Sequence, residues 1–275
     1  MKSYFFVPAS LLDKLDNIKK SSPDSIIIDF EDAILAKDIN AYFDKLIKMQ
    51  NIDSYWFRVP VRNDFGYDLD LQYIEKFRDI GVNCMVLPKL KSVNELREIV
   101  KKFSDIKFIV LIEHPRLLVE IRHEFIENSL ILKSLVGIGL GSHDLMTLLN
   151  AEHSIIQLDY PRKEVLYTAK AYDLLAIDIA CMNVSNKELF VEEVSYGKDS
   201  GYDAKFVIHP NQQLWLKDYI KNDDSLLVWA QNVCNHLPKG YNGEDIAPFI
   251  LNNEVIEKPH ALKAMEIIKR YNYGK

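Results

Sequence analysis

The feature that most constrains this chain is a rhythm of eight short apolar runs separated by amphipathic segments. The runs are Tyr4–Val7, Ser25–Ile28, Tyr55–Arg58, Cys84–Leu87, Phe108–Ile112, Leu135–Ile138, Ala176–Ala180 and Lys205–Ile208. They are rich in Ile and Val and lack polar alternation, as strands covered on both faces do. The segments between them have helical spacing. After the fourth run, Val93, Leu96, Ile99, Val100 and Phe103 share one face, and Ser92 with Glu95 reads as a capping box. Eight strand-helix units predict an α/β fold, a (β/α)8 TIM barrel, with a doubly wound open sheet as the alternative. The lack of a charged edge strand favours the barrel.

The unit between the sixth and seventh runs leaves room for a loop over residues 153–160 before a helix opening at Pro161. Beyond Asn211 the pattern changes. One helix over residues 212–234 is expected, then a Gly/Pro/Asn loop at 237–243, an apolar patch and a last helix over 259–270. The chain thus divides into a barrel over residues 1–210 and a C-terminal helical or lid extension over 211–275. The extension is too short for a robust domain of its own, so it should pack across the barrel mouth or on a neighbouring subunit.

At 48% apolar and 27% charged residues, the composition is that of an ordinary globular protein. The net charge of -6 argues against nonspecific nucleic-acid binding. Cys84, Cys181 and Cys234 show no metal or redox spacing and read as core residues in a reducing compartment. The first apolar run is too short for the core of a signal peptide, and no stretch approaches the length of a membrane span. A cytoplasmic protein without membrane or nucleic-acid partners is the expectation.

In a barrel of this kind the C-terminal strand ends carry the chemistry. Glu113 follows the fifth run and Asp144 the sixth, so both carboxylates can reach one divalent cation, Mg²⁺ or Mn²⁺. His114 and His143 flank them, but strand alternation turns His114 away if Glu113 points inward. Asp29, Glu31 and Asp32 form a cluster that needs cationic partners, with Lys37 and Lys89 at hand. Arg58 can bind a substrate carboxylate or oxyanion, or pair with the Asp29 cluster, or both. Gly137, Gly139 and Gly141 read as close backbone approach near the site.

These residues carry a resemblance to the citrate lyase β-like branch of the HpcH/HpaI aldolase family, which includes malyl-CoA lyase. The matching stretches are Phe6-Val-Pro8, Asp29-Phe-Glu-Asp-Ala33 with Lys37, Phe57-Arg58, Leu87-Pro-Lys89, Leu111-Ile-Glu113, Gly141-Ser-His-Asp-Leu145 and Ile208-His-Pro-Asn-Gln212. The resemblance implies a barrel with a C-terminal extension, a homotrimer or hexamer, and Mg²⁺-dependent cleavage or formation of a carbon-carbon bond beside a CoA thioester. It makes Glu113 and Asp144 the metal carboxylates and Arg58 the substrate-binding arginine; Asp29, Glu31, Asp32 and Lys89 are expected around the substrate, with a structural charge network as the other reading of the acid cluster. Val255-Ile-Glu-Lys-Pro-His260 is similar to the family's lid motif, so Glu257 takes the place of the acid that works in a neighbouring subunit's site. Departures include Glu257 where Asp is usual, Tyr42 where relatives often have Arg, and Pro60 where Asn is common. The expected activity is cleavage of a malyl-CoA or citryl-CoA type thioester. A pyruvate-type class II aldolase acting on a 2-oxo acid without CoA, and a catalytically weak assembly subunit, are the alternatives.

Overall fold

A computed structural model of the chain describes residues 1–63, 67–127, 129–222 and 225–273. Eight parallel strands close into a barrel in chain order. They are β1 (Lys2–Pro8), β2 (Ser25–Asp29), β3 (Trp56–Arg58), β4 (Cys84–Leu87), β5 (Lys107–Ile112), β6 (Leu135–Leu140), β7 (Leu175–Asp178) and β8 (Ala204–Val207). The closing pair sets Lys2 to Phe5 of β1 beside Ala204 to Val207 of β8. Each strand coincides with an expected run to within a few residues, and the open-sheet alternative is excluded by closure.

Alternation along these strands fills the barrel from one set of side chains. Tyr4, Ile27, Val86, Ile109, Leu111, Ile177, Ala204 and Phe206 form the interior cluster, with Phe6, Trp56, Leu175 and Ala180 against it. The intervening residues face the helices, which explains a lysine at the centre of β8. Lys205 is fully buried and donates to the Ile179 carbonyl at 2.9 Å and to Glu193 at 3.2 Å. Beside it Arg162 grips Asp178 with Nε at 3.0 Å and Nη2 at 2.7 Å. A Cβ on Gly197 would lie 2.5 Å from Asp178 Oδ2, so the helix of that glycine can approach the carboxylate only without a side chain.

The helix Val93–Lys102 starts where Ser92 accepts the Glu95 N–H, and it buries Val93, Leu96, Ile99 and Val100. Only half of the expected capping box forms, because the Glu95 carboxylate is drawn instead to Arg62 and the Lys91 N–H. The helix expected from Pro161 begins six residues earlier. It runs Ile155–Ala171, and Ser154 caps it by accepting the Gln157 N–H. Pro161 is therefore internal and buried, and its missing donor costs that helix one bond. The Ser-x-x-Gln cap signal outweighed the proline.

By contact density the chain separates into Met1–Leu216 and Lys217–Lys275. A helix Pro210–Asn222 follows β8 and crosses that boundary, and Ser225–His236 is a second helix. Of the helix expected over 212–234, residues 212–222 and 225–234 are helical, and 223–224 lie outside the described residues. The apolar patch beyond is a hairpin, β9 (Phe249–Leu251) and β10 (Glu254–Ile256). Its turn residues Asn252 and Asn253 have φ of 51° and 66°, the left-handed pair a two-residue hairpin demands and asparagine tolerates. Ala230, Val233, Ile256 and Ala264 form the core of this second unit. Its last helix is Lys258–Tyr273. Among the described residues no helix is long and apolar enough to cross a membrane.

Candidate active site

Strand register brings the acid cluster together at the C-terminal mouth. Pro8 of β1 pairs with Asp29 of β2, and Asp29 pairs with Arg58 of β3. Side by side on neighbouring strands, Arg58 and Asp29 form a two-point fork, Nε to Oδ1 at 2.7 Å and Nη2 to Oδ2 at 2.6 Å. Both side chains are nearly buried. Arg58 Nη1 stands 3.5 Å from Glu31 and 3.7 Å from Asp32, at the outer edge of ion-pair contact. The guanidinium also lies over the Phe6 ring, 5.1 Å from its centre.

Lys89 closes the cluster from β4. Its Nζ reaches Asp32 at 2.5 Å and also pairs with Glu31. Arg58 and Lys89 are thus the cations that the acids require; Lys37 is exposed on the turn Ala36–Asp38. Burial, joined by Asp32, pushes the Glu31 carboxyl up to about 7 despite the nearby Arg58. Asp32 is held below the usual carboxylate range by hydrogen bonds with Glu31 and Lys89 that overcome its own burial. The proton therefore rests on Glu31, the less exposed of the two.

Glu113 directly follows β5, whose Ile112 pairs with Leu140 of β6. Asp144 lies four residues past β6, so it is not a strand-end residue. It sits in the first turn of the helix Ser142–Leu148, because Ser142 already begins that helix. Both carboxylates line the same two cavities. Glu113 is 2% exposed, and burial followed by the charge of Asp144 pushes it up to about 8, against the Lys89 N–H that donates to its Oε2 at 2.5 Å. A Cβ on Gly141 would fall 2.2 Å from Glu113 Cγ, so the last glycine of the Gly-x-Gly-x-Gly run makes the space this carboxylate occupies.

The histidines each line one of these cavities, His114 the larger and His143 the smaller, with their rings tied to neighbouring groups. His114 Nδ1 accepts the Arg116 N–H at 3.1 Å, and the His143 ring stacks on His153 with centres 3.8 Å apart. His153 Nε2 in turn lies 2.9 Å from Ser142 Oγ. Glu257 belongs to the second unit, where it is exposed and its N–H donates to His260 Nδ1 at 3.1 Å at the start of the last helix.

Two cavities open onto this constellation. The smaller, about 330 Å³, is lined by four carboxylates, Asp29, Asp32, Glu113 and Asp144, with Arg58 as its cationic side chain. The larger, about 600 Å³, shares Asp32, Glu113 and Asp144 and adds Arg62, Lys89 and Lys91. Asp29 is answered by Arg58 and Asp32 by Lys89, which leaves Glu113 and Asp144 as the carboxylates of this cavity without an ion-pair partner among the described residues. An oxygen donor set of two carboxylates suits a hard divalent ion. Among the described residues no group of three His, Cys, Asp or Glu converges on one point. The other coordination positions would fall to water and substrate, as is usual for Mg²⁺.

Residues 2–210 match the HpcH/HpaI aldolase/citrate lyase family. The chain belongs to this family of carbon-carbon lyases. It is 28% identical to the citrate lyase β subunit of Haemophilus influenzae, over 99% of this chain and 97% of that one. It is 24% identical to the human mitochondrial citramalyl-CoA lyase, over 84% of this chain and 74% of that one. In fold it is similar to CitE of Mycobacterium tuberculosis, solved with magnesium, acetoacetate and coenzyme A. The TM-score is 0.80 at 19% identity, with 98% of this chain and 97% of that one covered.

Arg62, which no motif in the sequence singles out, also lines the larger cavity. The position of Arg62 four residues past Arg58, just beyond β3, was the available signal.

Proposed function

We propose that this chain is a Mg²⁺-dependent lyase that cleaves or forms a carbon-carbon bond in a hydroxy-dicarboxylic acyl-CoA thioester of malyl-CoA or citryl-CoA type. The observation that carries the reading is the pair Glu113 and Asp144, which line both cavities without an ion-pair partner among the described residues, while Asp29 and Asp32 are taken by Arg58 and Lys89. A divalent cation held between them would turn an acidic wall into a binding site for an acidic substrate. The magnesium in the M. tuberculosis structure and the lyases among the relatives support the same conclusion.

Glu113 and Asp144 would hold the ion, which when bound supplies Lewis-acid stabilisation of charge developing on a substrate oxygen. Arg58 Nη1, the guanidinium nitrogen outside the fork with Asp29, is the donor left to take a substrate carboxylate. Asp29 fixes the plane of that guanidinium, so its orientation is set before substrate arrives. The acid portion would take the smaller cavity and the thioester arm the larger, whose lining includes Lys89 and Lys91. Glu257 would exchange a proton with the carbon α to the thioester, acting in the site of a neighbouring subunit of a homotrimer or hexamer.

The test is a cleavage screen on a small panel of CoA thioesters, with and without chelator, on wild type, Asp144→Ala and Glu257→Gln. Wild type should release a 2-oxo acid from one of the hydroxy-dicarboxylic thioesters, chelator should abolish that, and each variant should lose at least about a hundredfold in kcat. Binding of pyruvate or oxalate with Mg²⁺ but no turnover of any thioester would sink the thioester reading.

A further inference from the structure

Lys89 has φ of +53°, a left-handed conformation that side chains other than asparagine and aspartate seldom take. Its backbone is gripped on both sides of the Cα. The N–H donates to Glu113 Oε2 at 2.5 Å. The carbonyl accepts from Arg62 twice, Nε at 2.8 Å and Nη2 at 2.6 Å. Arg62 is held in its turn by Glu95, whose Oε1 accepts from Nη1 at 2.8 Å and whose Oε2 accepts from Nη2. Glu95 is anchored by the Lys91 N–H at 2.7 Å.

This arrangement has two consequences. Arg62 lines the larger cavity, yet four of its five N–H groups are spent on Lys89 and Glu95, so its guanidinium is committed to holding the site's own backbone. The direction of the Lys89 N–H also depends on the left-handed peptide. A turn to the ordinary helical or extended region would swing that donor away from a carboxylate that is 2% exposed.

We propose that Arg62, oriented by Glu95, is a positioning residue that holds the Lys89 peptide left-handed and thereby fixes Glu113 to receive a divalent cation. The role rests on the reading of Glu113 as a metal ligand. Lysine cannot substitute, because a single ammonium lacks the planar fork that bonds carbonyl and carboxylate together. The same residue ties the two halves of the site, since Lys89 Nζ reaches Asp32 while its N–H reaches Glu113.

The experiment is calorimetric titration of Mg²⁺ into metal-free wild type, Arg62→Lys, Glu95→Gln, Lys89→Gly, the Arg62→Lys/Lys89→Gly double variant and Glu113→Gln, each with its melting temperature. Arg62→Lys should weaken Mg²⁺ binding by about tenfold or more, the usual scale for a residue that orients a ligand. In the Lys89→Gly background the same change should cost less than about threefold, because glycine takes the left-handed region unaided. Glu95→Gln should weaken binding in the same direction, and it carries the test if Arg62→Lys fails to fold. Wild-type affinity in Arg62→Lys, with binding abolished in Glu113→Gln, would make the clamp purely structural and overturn the proposal. So would an equal loss from Arg62→Lys in both backgrounds. Unchanged binding in Glu113→Gln, or none in wild type, would overturn the metal assignment itself and the role of Arg62 with it.

Discussion

At the scale of single residues, the site is governed by burial of charge. Glu31 is the clearest case. In the unfolded chain its carboxyl titrates near 4.5, and in the folded protein burial and Asp32 bring it to about 7. The folded state therefore binds more protons between those values, and stability falls as pH rises through that window. The loss is roughly 3 kcal/mol by the size of the shift. Glu31→Gln carries no such titration, so its stability relative to wild type should rise by up to about that amount between pH 5 and pH 8. Urea denaturation at the two pH values measures it, and a constant difference would refute the assignment. Asp32 does not confound the comparison, since its shift acts below its ordinary value of 3.8.

Elements carry the next layer. The outward face of β7 and β8 holds a buried ion network in place of the usual apolar contact with helices. Arg162 is 2% exposed, and Asp178 and Lys205 are wholly buried. Asp178 answers both cations, with Lys205 Nζ at 3.7 Å beyond the Arg162 fork. Asp178→Ala would leave two buried charges short of a partner and should cost about 3–5 kcal/mol of stability. Chemical denaturation reads this directly; a loss under about 1 kcal/mol would mean that the network is solvated or redundant. The lysine also fastens the segment after β7, through the Ile179 carbonyl. Ala180 and Met182 of that segment line the smaller cavity. Stability and site shape are joined at this element.

At the scale of the whole molecule, the Lys217–Lys275 unit carries Glu257. Glu257 as an acid acting in a neighbouring subunit makes a sharp prediction. Chains carrying Asp144→Ala and chains carrying Glu257→Gln should each be inactive alone. Co-expressed, they should recover about a quarter of wild-type activity, because random mixing pairs intact carboxylates with an intact Glu257 at that frequency. No recovery in mixed oligomers would confine Glu257 to its own chain or remove it from the reaction.

The sequence by itself determined the barrel. Period and count are local properties, and eight buried runs with helical spacers leave few other ways to cover every strand on both faces. It also marked most residues of the mouth, because polar groups placed just after apolar runs have no packing reason to be there. Only the tertiary structure decided how those groups divide their bonds. Arg58 is committed to Asp29 by a strand register that no single segment encodes. Glu95, which reads as a helix cap, is taken by Arg62, a residue 33 positions away. The left-handed peptide of Lys89 follows from that pairing, since the carbonyl must meet Arg62 while the N–H meets Glu113. Local pattern fixes which residues reach the mouth, and long-range competition for donors and acceptors fixes what each of them holds.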